Sequence, residues 1–369
     1  MMKNRVEAVI NLDNIEHNYK YIKTLVGDNC RVMAVVKADA YGHGALRVCK
    51  TLEKAGVDFF AVACLEEAIA LRNYGIKSDI LILGITDSEC APTIREHNLI
   101  QTAGSREYCV RLSEGGGARI HLKVDTGMSR LGIYCHNESD IPSVKKDIAA
   151  ISGLPDIKIE GIFTHFADSD NPSPLFTEKQ FAVFCALLDE IKAANINVGI
   201  RHCCNSAAIL KFPEMRLDMV RAGIILYGLL PSPEIKDQNL LPCMTLKSRI
   251  ASVSKLKKGD SISYGCTLTA NRDITSAVIS IGYADGFSRA LSEKAYVKIG
   301  GKKAKILGKI CMDLCVADVS GIKCAPGDEV IIFENTQDID VLAGILGTIN
   351  YEIICLLKQR VKITYTHSN

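Results

Sequence analysis

The sequence lacks the features that mark nucleic-acid-binding and membrane proteins. Its net charge is only +2, and its charged residues are interspersed. Proteins that bind nucleic acids or anionic membranes usually carry a basic patch or tail, and none is found here. No apolar stretch reaches the ~18 residues that a membrane-spanning helix needs. The N-terminus has no long apolar segment of the kind found in secretory signals. We therefore expect neither a nucleic-acid partner nor a membrane partner.

Tryptophan is absent, whereas cysteine is abundant, with 15 residues. The odd count, the scattered spacing and the lack of any CxxC pair argue against a disulfide framework or a zinc ribbon. Cysteines such as Cys64, Cys185 and Cys355 lie in apolar runs, where a thiol packs as a small hydrophobic group. This pattern predicts a reducing, cytoplasmic compartment.

A chain of 369 residues suggests two domains. In its first two thirds, short β-type runs alternate with helical stretches, which predicts a parallel sheet of βα units. Eight such units in ~230 residues fit a (β/α)₈ TIM barrel, and a doubly wound open sheet is the alternative. The predicted strands are 31–37, 59–63, 80–84, 99–103, 120–124, 159–165, 200–204 and 219–225. The predicted helices are 45–55, 65–74, 88–97, 105–113, 139–151, 177–195 and a short one after Asn205.

The pattern changes after Pro231, where β-branched runs follow one another with Gly, Asp and Lys turns. Such a series predicts an all-β barrel or sandwich, interrupted by one helix near 340–346 and an apolar stretch at 353–357. The predicted strands are 246–253, 262–264, 277–281, 295–299, 305–310, 314–319 and 329–333. The fold class is therefore α/β plus all-β, with a barrel over 12–233, a β-rich domain over 234–369, and a strand within 1–11 that joins the second domain.

Lys37 ends the apolar run Val32-Met33-Ala34-Val35-Val36 and is followed by Tyr41 and two glycines. Lysine is almost never fully buried unless it is paired. Where burial lowers its pKa, its amine becomes available for Schiff-base chemistry. Lys37 is thus the candidate anchor for an aldehyde cofactor, above all pyridoxal 5'-phosphate (PLP).

Other reactive side chains also follow predicted barrel strands, at the rim where TIM barrels carry their active sites. Each alone has a plain structural explanation, such as a solvated charge or a hydrogen-bonded core histidine, but their convergence on one rim favours a site. Besides Lys37 and Tyr41, these residues are Lys123, Arg130, Thr164, His165, Asn205, Ser206 and Arg221.

TIM barrels often bind phosphate with the loops after strands seven and eight. Here those loops offer the Ser206 hydroxyl and the backbone N–H groups of Gly223 and Ile224, and glycine allows an anion to approach the backbone closely. Arg221 cannot deprotonate in proteins, so if it faces the pyridine nitrogen of PLP, that nitrogen stays unprotonated. An ion pair of Arg221 with Asp218 is the alternative. His202 either holds Arg221 or is a packed core histidine.

Two other motifs predict no site. The triplet Gly115-Gly116-Gly117 precedes a strand instead of following one, so it is a flexible turn and not a dinucleotide-binding loop. In His202-Cys203-Cys204, successive residues of a strand point to opposite faces, and no metal site is expected. Taken alone, Tyr264, Tyr283 and Tyr351 are half-buried tyrosines with hydrogen-bond partners.

Taken together, the motifs resemble those of the alanine racemases of the fold-type III PLP family over nearly the whole chain. The neighbouring family of basic amino-acid decarboxylases shares the barrel and the lysine, but its glycine triplet at the phosphate site and its cysteine–aspartate pair are not found here in the right context. The matching motifs are AVVKADAYGHG (34–44), KVDTGMSRLG (123–132), GIFTHFA (161–167), HCCNSAA (202–208), RAGIILYGL (221–229), SYG (263–265), IGYADGFSR (281–289), GKICMD (308–313) and NYE (350–352).

The resemblance implies a two-base racemase that supplies D-alanine for peptidoglycan. Lys37 would bind PLP as a Schiff base and then act as the base for D-alanine, while Tyr264 from the partner subunit of a homodimer would act on L-alanine. Arg130 and the partner's Met312 N–H would bind the substrate carboxylate. His165 would orient Tyr264. The remaining implied roles are phosphate binding by Tyr41, Ser206, Gly223, Ile224 and Tyr351, and support of the site by Lys123, His202, Tyr283 and Asp313.

Lys123 resembles a position that is often carbamylated, which would make it a partner for Arg130. Leu268 and Ser288 depart from the residues common in the family and bear on the entrance. Tyr351 favours alanine over serine as the substrate. The alternatives are a racemase of serine or broader preference, a non-catalytic PLP carrier, and a barrel that binds another phosphorylated ligand.

Overall fold

The computed structural model describes residues 4–367. Residues 1–3 and 368–369, the outer ends of the predicted 1–11 segment and 234–369 domain, lie outside the described residues. The chain begins with strand β1 (Val6–Asn11) and helix α1 (Leu12–Val26). The helix is absent from the predictions, although Asn11 caps it by accepting hydrogen bonds from the backbone of the first turn.

The first domain is a closed barrel of eight parallel strands, as predicted. A two-residue strand, β7, extends the sheet beside β6. The strands are β2 (Arg31–Val35), β3 (Phe59–Val62), β4 (Asp79–Ile82), β5 (Ile100–Ala103), β6 (Ala118–Asp125), β7 (Ile133–Tyr134), β8 (Ile157–Phe163), β9 (Ile200–His202) and β10 (Met219–Ala222).

Helices follow the barrel strands and cover them, and strands such as β3 and β5 are accordingly buried at every residue. A short turn, α2 (Lys37–Gly42), follows β2 directly. The other helices of this domain are α3 (Ala45–Lys54), α4 (Leu65–Asn73), α5 (Ala91–Glu96), α6 (Arg106–Glu114), α7 (Ile141–Ser152), α8 (Leu175–Ala193) and α9 (Ser206–Lys211).

Several predicted strands are too long at their carboxyl ends. The predictions run to residues 37, 84, 165, 204 and 225, whereas the strands end at residues 35, 82, 163, 202 and 222. The chain leaves the sheet at these points and forms the loops of the barrel mouth. The polar side chains that follow the strands therefore lie on loops rather than within the sheet.

The second domain is an antiparallel sheet in which six strands close a ring through the long strand β11. β1 pairs antiparallel with β11 and parallel with β19, so the N-terminal strand lies in this sheet. The strands are β11 (Met244–Leu256), β12 (Ser261–Ile262), β13 (Leu268–Thr269), β14 (Ile274–Ile279), β15 (Tyr296–Ile299), β16 (Lys302–Leu307), β17 (Cys315–Asp318), β18 (Glu329–Phe333) and β19 (Lys362–Thr366).

Two helices of the second domain differ from the predictions. Helix α10 (Thr336–Leu346) begins earlier than expected, because the Asn335 side chain caps it. The first three residues of the apolar stretch predicted at 353–357 belong to helix α11 (Asn350–Cys355), which carries Tyr351. The predicted strand 262–264 ends at Ile262, and Tyr264 lies instead in a short 3₁₀ turn.

Candidate active site

Lys37 lies at the barrel mouth and opens a turn of left-handed helix. Residues 38–41 have φ angles of 52–55°, although none of them is glycine. Left-handed backbone costs an L-residue roughly 1–2 kcal/mol, so the turn needs stabilising contacts. Asp39 supplies two of them, since its carbonyl accepts from Gly44 N at 2.9 Å and its carboxylate accepts from Ala45 N at 2.7 Å.

The surroundings of Lys37 favour its neutral amine. Burial lowers the pKa of the Lys37 amine, and the Arg130 guanidinium lowers it further, whereas Glu67 acts in the opposite direction. A lowered pKa leaves more of the amine as free base at neutral pH, which is the form that attacks an aldehyde.

Arg221 is buried beneath the mouth among neutral acceptors. Its Nη1 lies 2.9 Å from His202 Nδ1, and its Nη2 lies 2.9 Å from His165 Nδ1. Nη2 also donates to the carbonyls of Thr164 and Cys203, each at 2.9 Å. Among the described residues, none of these hydrogen bonds uses Nε, so its N–H remains for a ligand.

The alternative partner that the sequence suggested for Arg221 is wrong. Asp218 forms a bidentate ion pair with Arg201 instead, at 2.7 Å for each of the two contacts. Arg221 thus has no carboxylate partner among the described residues, and burial lowers the pKa of its guanidinium to about 10.

The contacts of Arg221 determine which ring nitrogens of the neighbouring histidines carry a proton. Because a guanidinium only donates hydrogen bonds, Nδ1 of both His165 and His202 must be unprotonated. Burial, followed by the charge of Arg221, lowers the pKa of both rings well below the usual value. His202 Nε2 then donates to His121 Nδ1 at 2.9 Å, so His121 is a further member of this chain of hydrogen bonds, and sequence reasoning missed it.

Four of the residues proposed to bind phosphate lie close to one another. Gly223 N donates to Ser206 Oγ at 3.0 Å, and the rings of Tyr41 and Tyr351 lie 6.2 Å apart. A Cβ atom on Gly223 would lie 2.9 Å from Tyr41 Oη and 3.5 Å from Ser206 Oγ. Gly223 therefore lines a small cradle between the two hydroxyls, and Ile224 follows it in a buried 3₁₀ turn.

Asp125 builds the loop that carries Arg130. Its carboxylate accepts four backbone hydrogen bonds of 2.8–3.1 Å from the N–H groups of residues 127–130. These donors hold the pKa of Asp125 below its usual value, although burial opposes them. The motif contains Asp125, but sequence reasoning gave it no role, because the loop geometry is invisible in the sequence.

Lys123 is buried beneath the same loop. Its Nζ donates to the Val124 carbonyl at 2.8 Å and lies 5.5 Å from the centre of the Phe163 ring. Burial lowers the pKa of its amine to about 7, and the charges of Arg221 and Arg130 act in the same direction.

The second domain presents its candidate residues to solvent. Tyr264 is 71% exposed and Met312 is 53% exposed. Within residues 4–367, no hydrogen bond or ring contact links Tyr264 to the barrel mouth of its own chain. The turn before Tyr264 is held by Ser263, whose hydroxyl donates to the Lys309 carbonyl at 2.6 Å.

Tyr283 and Met312 lie on two segments that are bound to each other. Tyr283 N donates to the Cys311 carbonyl at 3.1 Å, and Ala284 N donates to the Met312 carbonyl at 3.0 Å. These bonds fix the peptide planes on either side of Met312.

Asp285 ties these segments to the rest of the domain. Its fully buried carboxylate pairs with Arg5 and, at 2.7 Å, with Arg360. Arg360 in turn contacts Asp313 at 2.7 Å. Asp313 therefore supports the Met312 segment through Arg360. Sequence reasoning missed Asp285 and Arg360.

The described residues fit PLP. Gly223 carries no side chain beside the Tyr41 and Ser206 hydroxyls, which a Cβ would crowd, so these hydroxyls stay open to a phosphate. Arg221 faces only neutral acceptors and keeps Nε–H available for an unprotonated ring nitrogen. Lys37 supplies an amine whose pKa is lowered by burial.

Family models match both domains. The N-terminal domain model of alanine racemase matches residues 10–231, and the C-terminal domain model matches residues 243–365. The chain belongs to the alanine racemase family. The family predicted from the motifs is thus confirmed, and with it the assignment of the chain to the isomerases.

Relatives in sequence and solved structures are similar to this chain over nearly its full length. An alanine racemase from Desulforamulus reducens is 43% identical over 99% of this chain and 100% of its own. The alanine racemase structure from Clostridium difficile is 39% identical, with a TM-score of 0.93, and covers 100% of this chain and 97% of its own. That from Streptomyces lavendulae is 30% identical, with a TM-score of 0.91, and covers 100% and 99%. The predicted fold class is confirmed.

Within the described part of this alanine racemase family member, no helix has both the length and the apolar character needed to cross a membrane.

Proposed function

We propose that this protein is a PLP-dependent enzyme that interconverts L-alanine and D-alanine and supplies D-alanine for peptidoglycan. The observation that carries the proposal is the single cluster at the barrel mouth. It combines the Lys37 amine, the Arg221 guanidinium with its neutral partners, and the cradle at Gly223. Full-length similarity to named alanine racemases supports the choice of substrate.

Bound PLP would supply an electron-withdrawing ring that acidifies the Cα–H of an attached amino acid. Racemisation then needs a base on each face of Cα. Lys37, with its lowered pKa, is the base for D-alanine. Tyr264, contributed by a second copy of the chain, is the base for L-alanine, with His165 orienting it.

Binding of the alanine carboxylate is assigned to one cation and one backbone N–H donor. Arg130 lies on the loop held by Asp125, whose carboxylate accepts from the Arg130 backbone N–H and so fixes the backbone from which the guanidinium extends. The Met312 N–H, also from the second copy, lies on a segment whose neighbouring carbonyls are bound. Tyr351 on α11, beside Tyr41, limits the side-chain pocket and favours alanine over serine.

The homodimer is supported by exposed side chains on the second domain. In one chain, the exposed fractions of the Tyr264, Tyr283 and Met312 side chains are 71%, 39% and 53%. In the proposed dimer, these side chains act in an enclosed site.

A subunit mixing experiment tests whether the two chains share their active sites. Lys37→Ala removes a group of the barrel domain, and Tyr264→Phe removes a group of the second domain. A dimer with one chain of each variant therefore has one intact site. Random exchange should restore about a quarter of wild-type activity. No restoration would mean that each site is built from one chain.

The cofactor and the reaction are tested together. Borohydride reduction of the purified protein, followed by peptide mapping, should label Lys37 and no other lysine. In D₂O, both alanine enantiomers should exchange their Cα proton. A non-catalytic PLP carrier would show labelling without exchange, and a barrel for another phosphorylated ligand would show neither. A higher kcat/KM for L-serine than for L-alanine would reject the alanine assignment.

A further inference from the structure

The left-handed turn after Lys37 needs a stabilising contact that the turn itself does not supply. Four consecutive non-glycine residues, 38–41, adopt left-handed backbone there. The contacts of Asp39 close the far end of the turn, near Ala45. At the near end, which sets the direction in which Lys37 leaves β2, Ala40 N donates to the Val36 carbonyl at 2.9 Å. A further contact at this end comes from a residue in another unit of the barrel.

That residue is Glu67, in the first turn of α4. Its Oε1 accepts a hydrogen bond from Ala38 N at 2.8 Å, and its Oε2 accepts one from Ala63 N at 2.8 Å. Ala38 directly follows Lys37, and Ala63 directly follows β3, which neighbours β2 in the barrel. One carboxylate thus joins the start of the left-handed turn to the end of the adjacent strand.

We propose that Glu67 is a positioning residue for Lys37, whose carboxylate fixes the left-handed turn against β3 and so aims the lysine amine into the site. The proposal rests on the function assigned to Lys37 above. Two backbone hydrogen bonds to one carboxylate are charge-assisted and directional. A glutamine in its place has one acceptor oxygen for two N–H donors, and an aspartate is too short to reach both.

Glu67 also changes the electrostatics at Lys37. Burial, Arg130 and Arg221 lower the pKa of the Lys37 amine, and Glu67 and Cys355 raise it. Removing the charge of Glu67 should therefore lower that pKa further, whereas loss of the backbone contacts alone should leave it near the wild-type value. The two effects separate in two variants, Glu67→Gln and Glu67→Asp.

The experiment measures how fast the full-length protein, freed of PLP by hydroxylamine and dialysis, captures added PLP at Lys37. Samples are quenched with borohydride at timed intervals between pH 6 and pH 10, and labelling is read by peptide mapping. Glu66→Gln is the matched control, because Glu66 lies beside Glu67 in α4 and is exposed. Thermal unfolding of each variant checks that the fold is kept.

Glu67→Gln and Glu67→Asp should both slow capture by roughly tenfold or more, the range expected for lost charge-assisted hydrogen bonds. Glu67→Gln should also move the pH of half-maximal capture rate downward, while Glu67→Asp and Glu66→Gln keep the wild-type midpoint. If either Glu67→Gln or Glu67→Asp fails to fold, the capture rate of the other variant still tests the proposal.

Two results would overturn the proposal: capture by Glu67→Gln within about twofold of Glu66→Gln, or a pH midpoint that Glu67→Gln leaves unmoved. Failure of the proposed function gives a different result, because the wild-type protein itself would then not be labelled at Lys37.

Discussion

Replacing Lys123 by methionine should remove a defined pH dependence from the stability of this protein. The amine is buried under the Arg130 loop, and its only hydrogen bond among the described residues goes to the Val124 carbonyl. Methionine has a similar length and no charge, so Lys123→Met tests the buried charge with little change in packing.

The direction and size of this pH dependence follow from the pKa values of Lys123 in the folded and the unfolded chain. Burial lowers the pKa of Lys123 to about 7 in the folded chain, from an ordinary value of 10.5. Between these values the unfolded chain holds a proton that the folded chain does not, so the free energy of unfolding rises with pH by about 1.4 kcal/mol per pH unit. Below pH 7 both states are protonated and the full cost of the buried cation remains.

The assay is urea unfolding of wild type and Lys123→Met from pH 7 to pH 10, in CO₂-free buffer and at one protein concentration. The stability of wild type relative to Lys123→Met should increase steadily with pH, by a few kcal/mol in total. Lys192→Met, which replaces an exposed lysine, should show no such trend. A difference between wild type and Lys123→Met that stays constant from pH 7 to pH 10 would refute the reasoning.

Three further predictions concern the site. Tyr264→Phe should slow Cα exchange of L-alanine in D₂O by roughly 10²–10⁴-fold and that of D-alanine much less; equal losses for both enantiomers would contradict the two-base assignment. Asp125→Asn leaves one acceptor for four backbone donors and should cut hydrogen-exchange protection of residues 127–130 by roughly tenfold or more, with a raised KM for alanine; unchanged protection would argue against the loop role. Gly223→Ala places a Cβ 2.9 Å from Tyr41 Oη and should weaken PLP binding by about tenfold, as measured by spectrophotometric titration; unchanged affinity would place the phosphate elsewhere.

The barrel was predictable because hydrophobic periodicity reports burial directly. Each strand of a parallel sheet is covered on both faces and therefore usually reads as a short apolar run, as β3 does. β5 is equally buried although it contains Gln101 and Thr102. The ends of the strands were less predictable. Apolar residues continue past the last residue of a strand, as at Val36, which is buried but lies outside β2.

The contacts that shape the candidate site could not be read from the sequence. Residues 38–41 contain two alanines, which favour right-handed helix, yet a carboxylate 29 positions away binds the first N–H of a left-handed turn. The chain from Arg221 through His202 to His121 likewise joins residues on three strands. Such pairings depend on which side chains the closed barrel brings within 3 Å, and no local pattern encodes that.

The positive charges at the barrel mouth would suit both the anionic cofactor and the anionic substrate of the proposed function. Lys37, Lys123, Arg130 and Arg221 lie close enough for the arginines to lower the pKa of both lysines. The buried carboxylate of Asp125 raises the pKa of Lys123 and so offsets part of this positive charge, but burial and the two arginines outweigh it. In a partly buried site, such an excess strengthens attraction for a phosphate and a carboxylate far more than it would in bulk water. It also lowers the pKa of both lysine amines, which increases the share of free amine that can accept a proton or attack an aldehyde.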